Sequence, residues 1–205
     1  MASGKLITIE GIDGAGKTTL ASMLLAALQG RGVAARLLRE PGGVRTAELI
    51  RELVTSPALE IGARAEALMY AAARAQLVEE AIKPQLAEGM WVLLDRFVDS
   101  SLAYQGGGRR LGVEPVRAIN RFATGTLVPD VTLLLAIDPE LGRRRSAARL
   151  ASPDRLELED DGFFERIANT YSELAAAEPQ RIRAIDAAQA PEAVLAAALA
   201  AIDSA

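Results

Sequence analysis

The feature that most limits the fold of this chain is the eight-residue run Gly11-Ile12-Asp13-Gly14-Ala15-Gly16-Lys17-Thr18. It matches the G-x-x-x-x-G-K-[ST] phosphate-binding loop, whose glycines let backbone N–H groups face phosphate oxygens. Lys17 is expected to reach the β- and γ-phosphates, and the Thr18 hydroxyl is expected to hold Mg²⁺. An apolar, β-branched run precedes the loop and a helical pattern follows it. The sequence therefore predicts a nucleoside-triphosphate site between a strand and a helix.

Composition excludes several other kinds of chemistry. The chain has 205 residues, enough for one domain (1–205) with a substantial core. A net charge of −4 gives no indication of a nucleic-acid polymer or an anionic membrane as partner. The absence of Cys and His excludes disulfides, thiolate metal sites and histidine-based catalysis. No signal peptide and no apolar run of about 20 residues is seen, so a cytoplasmic protein is expected.

Strand and helix patterns alternate along the chain. Strands are predicted at 5–10, 33–39, 90–95, 131–137 and 181–185, and helices at 17–30, 44–55, 61–88, 112–124, 139–150, 161–178 and 190–203. This alternation predicts an α/β three-layer P-loop NTPase fold, in which helices flank a five-stranded parallel sheet. The Gly-rich segment 106–110 and the polar segment 149–161 are expected to be mobile.

Two charged groups are candidates for the same site. Asp95 ends an apolar strand, where P-loop enzymes place a carboxylate near Mg²⁺, although it could also cap the following helix. The adjacent Arg96 favours the site interpretation, because arginine can bind phosphate through two parallel hydrogen bonds. Arginines at 143–145, 149 and 155 form a dense basic cluster. Such a cluster is usually a solvated face, but in a P-loop protein it can supply charge to the transferred phosphoryl group.

Other candidates are less specific. Tyr70 and Arg74 are four residues apart on a predicted helix and could hold a base, but a core-edge tyrosine and a solvated arginine are the commoner case. Glu40-Pro41-Gly42-Gly43 predicts a sharp turn, with an unusual proline geometry as one possibility. Arg51 could belong to the surface or to the site.

Taken together, these motifs resemble the thymidylate kinase family nearly from end to end. The P-loop alone is shared by many families, whereas the Glu-Pro-Gly-Gly turn combined with the later runs is far more specific. The resemblance is carried by Glu10 to Thr19, Arg39 to Gly43, Tyr70 to Arg74, Asp95-Arg96-Phe97, Asp99 to Gly106, Arg149 and Asp154-Arg155-Leu156-Glu157.

The resemblance implies phosphorylation of dTMP to dTDP by Mg·ATP, in dTTP biosynthesis, by a homodimer. For dTMP it implies that Arg51 and Arg96 hold the phosphate, Tyr70 stacks on thymine, Arg74 donates to a thymine carbonyl, Ser101 and Gln105 contact the base edge, Tyr104 crowds the sugar 2′ position, and Glu40 belongs to the same site. Asp13 is implied to contact the sugar 3′-hydroxyl or the metal–phosphate network.

For ATP the resemblance implies binding by Gly11 to Thr19, including Ile12, Gly14, Ala15 and Gly16, with Arg145 near adenine. Thr18 and Asp95 are the implied metal ligands. A lid at about 147–158 would bring Arg149 and Arg155 over the transferred phosphate, so that the implied catalytic set is Asp13, Lys17, Arg96, Arg149 and Arg155.

The chain departs from the family pattern at two positions, and its P-loop is also informative. Tyr70 stands where many relatives have Phe, and Asp13 where many bacterial relatives have Glu. Some relatives carry an arginine in the P-loop, whereas Gly14 and Ala15 are small, so the catalytic arginine is expected from the lid. Two alternatives stay open: a kinase for another small acceptor such as dUMP or a deoxynucleoside, and a regulatory protein that binds ATP without transferring phosphate. The pair Arg51 and Arg96 argues against the second, because it offers a second phosphate site.

Overall fold

Five parallel strands form a single sheet in the computed structural model, which describes residues 4–148, 155–156 and 158–205. The strands are β1 (Leu6–Glu10), β2 (Ala35–Arg39), β3 (Trp91–Asp95), β4 (Val131–Ala136) and β5 (Ile182–Asp186), in the spatial order β2-β3-β1-β4-β5. Each lies within two residues of its predicted bounds. The central strand β1 is buried along its whole length, as expected for a strand covered on both faces.

Helices cover the sheet on both sides. They are α1 (Lys17–Gly30), α2 (Arg45–Thr55), α3 (Ala63–Leu77), α4 (Lys83–Ala87), α5 (Val98–Ser101), α6 (Val113–Thr124), α7 (Pro139–Ala147), α8 (Asp161–Ala177) and α9 (Pro191–Asp203). Side chains alternate along β1, so that Ile7 and Ile9 pack in one apolar cluster while Leu6 packs in another on the opposite face. The predicted α/β fold with a five-stranded parallel sheet is confirmed. Among the described residues, no helix has both the length and the apolar character needed to cross a membrane.

Residues 106–108 are packed helix, which does not fit the mobility expected for the segment 106–110. Helix α5 continues into a π-helical segment, Leu102–Gly108, in which Gly106 and Gly108 are buried. The glycines are needed here because α8 packs directly on the segment. A Cβ on Gly107 would lie 2.0 Å from Thr170 Oγ1, and one on Gly108 would lie 2.6 Å from Phe163 Cε2. The glycine run is therefore a helix–helix contact, and not a loop.

Two other predicted segments differ from the structure. The predicted helix 61–88 consists of α3, a π-helical segment (Val78–Ile82) and α4, which follow one another directly. Most of the segment 149–161, including Arg149, lies outside the described residues. The loops that follow β1, β2 and β3 all leave the same edge of the sheet, since parallel strands end together. This carboxyl edge is where ligands bind in open α/β sheets.

Candidate active site at the carboxyl edge of the sheet

The P-loop joins β1 to α1 and curls around the Lys17 side chain. Gly14 and Gly16 have φ values of 81° and 95°, which residues with a side chain rarely adopt. Lys17 is buried, and its Nζ donates to the backbone oxygen of Ile12 at 2.9 Å. Burial, together with the positive charge of Arg96, lowers the pKa of Lys17 to about 8. Phosphate oxygens bound in the loop would favour its charged form again.

Thr18 and Asp95, the two predicted metal ligands, are brought together. The Thr18 hydroxyl donates to Asp95 Oδ2 at 3.2 Å. A hydroxyl and a carboxylate are hard oxygen donors that suit Mg²⁺, which usually takes its other ligands from water and substrate phosphates. No cluster of three or more potential metal-ligating side chains is found in the part of the chain that the structure describes. The donor set therefore fits a metal ion that arrives with a nucleotide.

Asp13, Arg96 and Tyr104 form a compact group beside the P-loop. Arg96 Nη2 donates to Asp13 Oδ1 at 2.5 Å, and the Tyr104 hydroxyl donates to Asp13 Oδ2 at 2.9 Å. Lys17 Nζ lies 3.7 Å from the same Asp13 carboxylate. Burial works against ionisation of Asp13, but the charges of Arg96 and Lys17 outweigh it and hold the pKa of this carboxyl well below its usual range. The negative group is therefore ionised and has cations on two sides.

Arg96 is directed at this group by its backbone. It has a φ of 70°, in the left-handed region that few non-glycine residues adopt. Its Nη1 also donates to the backbone oxygen of Gly11 at 3.2 Å, so one guanidinium contacts both ends of the Gly11–Asp13 segment. An arginine fixed against the P-loop in this way can bind a second phosphate close to a nucleotide in the loop.

Glu10 is linked to Arg96 through Ser100, whose hydroxyl accepts from Arg96 Nη1 at 3.1 Å and donates to Glu10, and the sequence motifs did not indicate it as a site residue. Its side chain is fully buried, and it accepts hydrogen bonds from the backbone N–H of Phe97 at 2.7 Å and from the Ser100 and Tyr171 hydroxyls at 2.5 and 2.8 Å. Burial, followed by the negative charge of Asp99, raises the pKa of Glu10 to about 7. The available signal was a carboxylate at the end of a strand in which Thr8 is the only other polar residue.

Arg74 lies at the centre of a second, buried polar group. It is 2% exposed, so the interpretation as a solvated arginine is wrong. Its Nε and Nη2 contact Glu40 Oε2 at 2.7 and 2.6 Å, and its Nη1 donates to Ser101 Oγ at 2.9 Å. Further partners are Asn120 Oδ1 and the backbone oxygen of Phe97. Each guanidinium nitrogen has a protein partner, so a donation from Arg74 to a base would require one of these partners to be exchanged.

Residues of the predicted Glu-Pro-Gly-Gly turn lie next to this group. The Glu40–Pro41 peptide bond is cis, which agrees with the unusual proline geometry considered from the sequence. Arg51 Nη1 donates to the backbone oxygen of Pro41 at 3.0 Å, so the turn and helix α2 are joined through this arginine. Tyr70 is partly buried and packs against the larger apolar cluster.

Three further polar side chains contact the carboxylate of Glu66. This fully buried carboxylate accepts from Gln105 Nε2 at 2.9 Å and from Arg155 Nη2 at 2.5 Å, and it also pairs with Arg109. Arg155 donates in addition to the backbone oxygen of Val54 at 3.2 Å. Arg155 is therefore held beside Gln105, on the side of the site where the acceptor was predicted. Its action at the transferred phosphate stays a prediction. Sequence reasoning missed Glu66, since only the fold brings these residues together.

A cavity of about 380 Å³ opens on the other side of the P-loop. Arg145 lines it, and its Nη1 donates to the backbone oxygen of Ala187 at 2.9 Å. The volume is in the range of small-molecule sites. The wall is mostly apolar, as the flat face of a purine requires, and is made by Gly14, Ala15, Gly16, Thr19, Leu20, Met23, Leu135, Arg145, Ala148, Ala187, Gln189, Pro191 and Val194.

A phosphate-binding loop that has a cavity on one side and a fixed arginine on the other defines a P-loop nucleotide kinase. Comparison with known proteins gives the particular family. The family model for thymidylate kinase matches residues 9–198. The chain is 49% identical to the thymidylate kinase of Lactobacillus delbrueckii subsp. bulgaricus over 189 residues, covering 91% of this chain and 89% of the relative. It is also 49% identical to the thymidylate kinase of Deinococcus radiodurans over 187 residues, covering 91% and 90% of the two chains.

A solved structure agrees with these relatives. The crystal structure of thymidylate kinase from Ehrlichia chaffeensis superposes with a TM-score of 0.81 at 27% identity, covering 98% of this chain and 99% of the other. The chain therefore belongs to the thymidylate kinase family, whose members phosphorylate dTMP to dTDP with ATP. The resemblance seen in the sequence, the enzyme class and the fold are confirmed.

Proposed function

We propose that this kinase transfers the γ-phosphoryl group of Mg·ATP to the phosphate of dTMP, giving ADP and dTDP for dTTP synthesis. The observation that carries the proposal is the position of Arg96, which contacts both Gly11 and Asp13 of the P-loop. A phosphate bound by Arg96 would lie next to a γ-phosphate bound by the P-loop. Arg51, attached to the neighbouring turn, is the second candidate for the acceptor phosphate.

The chemistry needs charge and alignment more than it needs a base. A phosphate monoester has its second pKa near ~6, so the acceptor oxygen is already an anion near neutral pH. The obstacle is the repulsion between two polyanions. Lys17, the P-loop N–H groups and Arg96 offset this repulsion and hold the reacting groups in line. Thr18 and Asp95 would hold the Mg²⁺ ion, which neutralises charge on the β- and γ-phosphates.

Acceptor recognition is proposed for the residues that line the other half of the site. Tyr70 would stack on thymine, while Ser101, Gln105 and Arg74 would contact the base edge and Glu40 would orient Arg74. The hydrogen bond between Tyr104 and Asp13 places a ring and a carboxylate together. In our proposal this pair faces the sugar, where the ring disfavours a 2′-hydroxyl and the carboxylate accepts from the 3′-hydroxyl.

Further proposals concern the chain as a whole. We place a lid at about 147–158 within one domain of 1–205, and we assign Arg149 and Arg155 as the arginines that act on the transferred phosphate. A homodimer is proposed from the family resemblance. A cytoplasmic location is proposed because ATP and dTMP are charged and do not cross a membrane unaided.

A panel of acceptors tests the function. Purified protein is given Mg·ATP with dTMP, dUMP, dCMP or thymidine, and ADP release is measured together with the phosphorylated product. The highest kcat/KM is expected for dTMP. A higher kcat/KM for dUMP or for thymidine would show that dTMP is not the preferred acceptor. If no acceptor is phosphorylated, the alternative of a regulatory protein that binds ATP without transferring phosphate would be favoured.

A further inference from the structure

Helix α7 rests on the P-loop through a contact between two glycines. A Cβ built on Gly14 would lie 1.9 Å from the backbone oxygen of Gly142. In the other direction, a Cβ on Gly142 would lie 2.9 Å from the backbone oxygen of Asp13 and 2.8 Å from Ile12 Cδ1. Real Cβ atoms essentially never approach other atoms so closely. The two backbones therefore meet with no side chain between them, and neither position has space for one.

This contact has a direct consequence for the P-loop sequence. An arginine cannot be accommodated at position 14, because the Gly142 oxygen already occupies the space of its first side-chain atom. Gly14 also has a φ of 81°, which is unfavourable for any side chain. The small residue at 14 is therefore required by the placement of α7, independently of the need to approach phosphate.

The same contact sets the position of a wall of the donor cavity. Arg145 follows Gly142 by three residues, less than one helical turn, and lines the cavity together with Gly14. The start of α7 is fixed separately, because the Asp138 carboxylate accepts from the backbone N–H groups of Glu140 and Leu141 at 3.0 and 3.1 Å. Arg143 pairs with Asp161 at the start of α8. Asp138 caps the first turn of α7, and Arg143 joins α7 to α8. The distance between α7 and the P-loop is then determined by the contact at Gly142.

We propose that Gly142 is a positioning residue for the phosphate donor, because its lack of a side chain lets α7 close the donor cavity against the P-loop with Arg145 at the wall. The proposal rests on the assignment of this cavity to the adenosine part of ATP. A methyl group at 142 moves α7 away from the loop and widens the cavity. The acceptor residues around Arg74 and Arg96 are attached to other elements and keep their positions.

The test is the variant Gly142→Ala compared with Gly30→Ala. Both replace a helical glycine by alanine, but a Cβ on Gly30, the last residue of α1, has no atom within 4 Å. For Gly142→Ala we expect KM for ATP to rise at least ~10-fold while KM for dTMP stays within twofold. Helix α7 gives way to the new methyl group, whereas the Asp13 side chain that faces the acceptor is held in place by Arg96 and Tyr104. Mg·ATP should also raise the melting temperature less than in the parent protein, whereas dTMP should raise it equally. Gly30→Ala should match the parent protein in all four measurements.

The other outcomes overturn the proposal. Unchanged KM for ATP, or an equal rise in KM for both substrates, would mean that the glycine contact does not position the donor. Loss of the fold in Gly142→Ala would assign the contact to stability instead. Arg145→Ala tests the donor assignment separately, since an unchanged KM for ATP in that variant would remove Arg145 from the site without altering the result for Gly142→Ala.

Discussion

Replacement of Glu10 by Gln is expected to change how the stability of the protein depends on pH. Burial raises the pKa of Glu10 from an ordinary value of 4.5 to about 7 in the folded chain. The folded state therefore keeps a proton that the unfolded state loses at lower pH. A group of this kind stabilises the fold fully below pH 4.5, and its contribution is lost as the pH rises through 7.

The size of the effect follows from the displacement of the pKa. Each tenfold change in proton affinity is worth about 1.4 kcal/mol, so the full contribution is about 3 kcal/mol. Between pH 5.5 and pH 8, about 2 kcal/mol of it is lost. Because Glu10 is fully buried, solvent does not screen this contribution. Gln keeps the shape and can still accept from the Phe97 N–H, but it does not titrate.

Urea unfolding without nucleotide, at several pH values from 5.5 to 8, measures the prediction. From pH 5.5 to 8, the free energy of unfolding of the parent protein should fall by about 2 kcal/mol relative to that of Glu10→Gln. Thr8→Val is the matched control, because Thr8 is buried on the same strand and its hydroxyl shares a hydrogen bond with the Thr132 hydroxyl at 2.7 Å, so no charge is altered. Its pH curve should run parallel to that of the parent. If the free energies of unfolding of the parent and Glu10→Gln differ by the same amount at every pH, Glu10 is not a buried carboxyl that titrates in this range.

Three other substitutions test individual contacts of the proposed site. Tyr70→Ala should weaken dTMP binding by ~1–3 kcal/mol, as for other base–aromatic stacks, and leave ATP binding unchanged in calorimetry; equal dTMP affinity would contradict stacking. Alanine at Arg149 or Arg155 should lower kcat at least ~10²-fold for the arginine that acts on the transferred phosphate; near-normal kcat in both variants and in their double variant would exclude both. Asp95→Asn should raise the Mg²⁺ concentration needed for half-maximal activity several-fold, and an unchanged Mg²⁺ titration would contradict its role as a ligand.

Local patterns were sufficient for the P-loop half of the site. The loop, its strand and its helix are consecutive in the chain, so the motif and the apolar periodicity determine their arrangement. Asp95 was predicted because it ends an apolar strand, where P-loop enzymes place a carboxylate near Mg²⁺, and the hydrogen bond between Thr18 and Asp95 agrees with that prediction. These predictions needed no knowledge of contacts distant in the sequence beyond strand direction.

The buried polar groups were not predictable in the same way. Arg74 has its partners in Glu40, Ser101 and Asn120, which come from three separate parts of the chain. Exposure is the usual state of arginine, and only the tertiary fold shows that these acceptors surround it. The prediction for residues 106–110 missed the helix for a related reason. A glycine run has the same sequence pattern whether it forms a loop or lies against a close-packed helix.

The order of strands in the sheet has a consequence for how the chain folds during its synthesis. The central strand β1 and the P-loop are made before β3 and β4, yet β1 pairs with both of these later strands: Leu6 with Val92 and Ile7 with Val131. Until β3 and β4 have been made, both edges of this apolar strand lack their partners, and such edges readily pair with other chains. Pairing over so long a sequence separation is also slow. The strand that leads into the P-loop is therefore synthesised well before the partners that fix its place in the sheet.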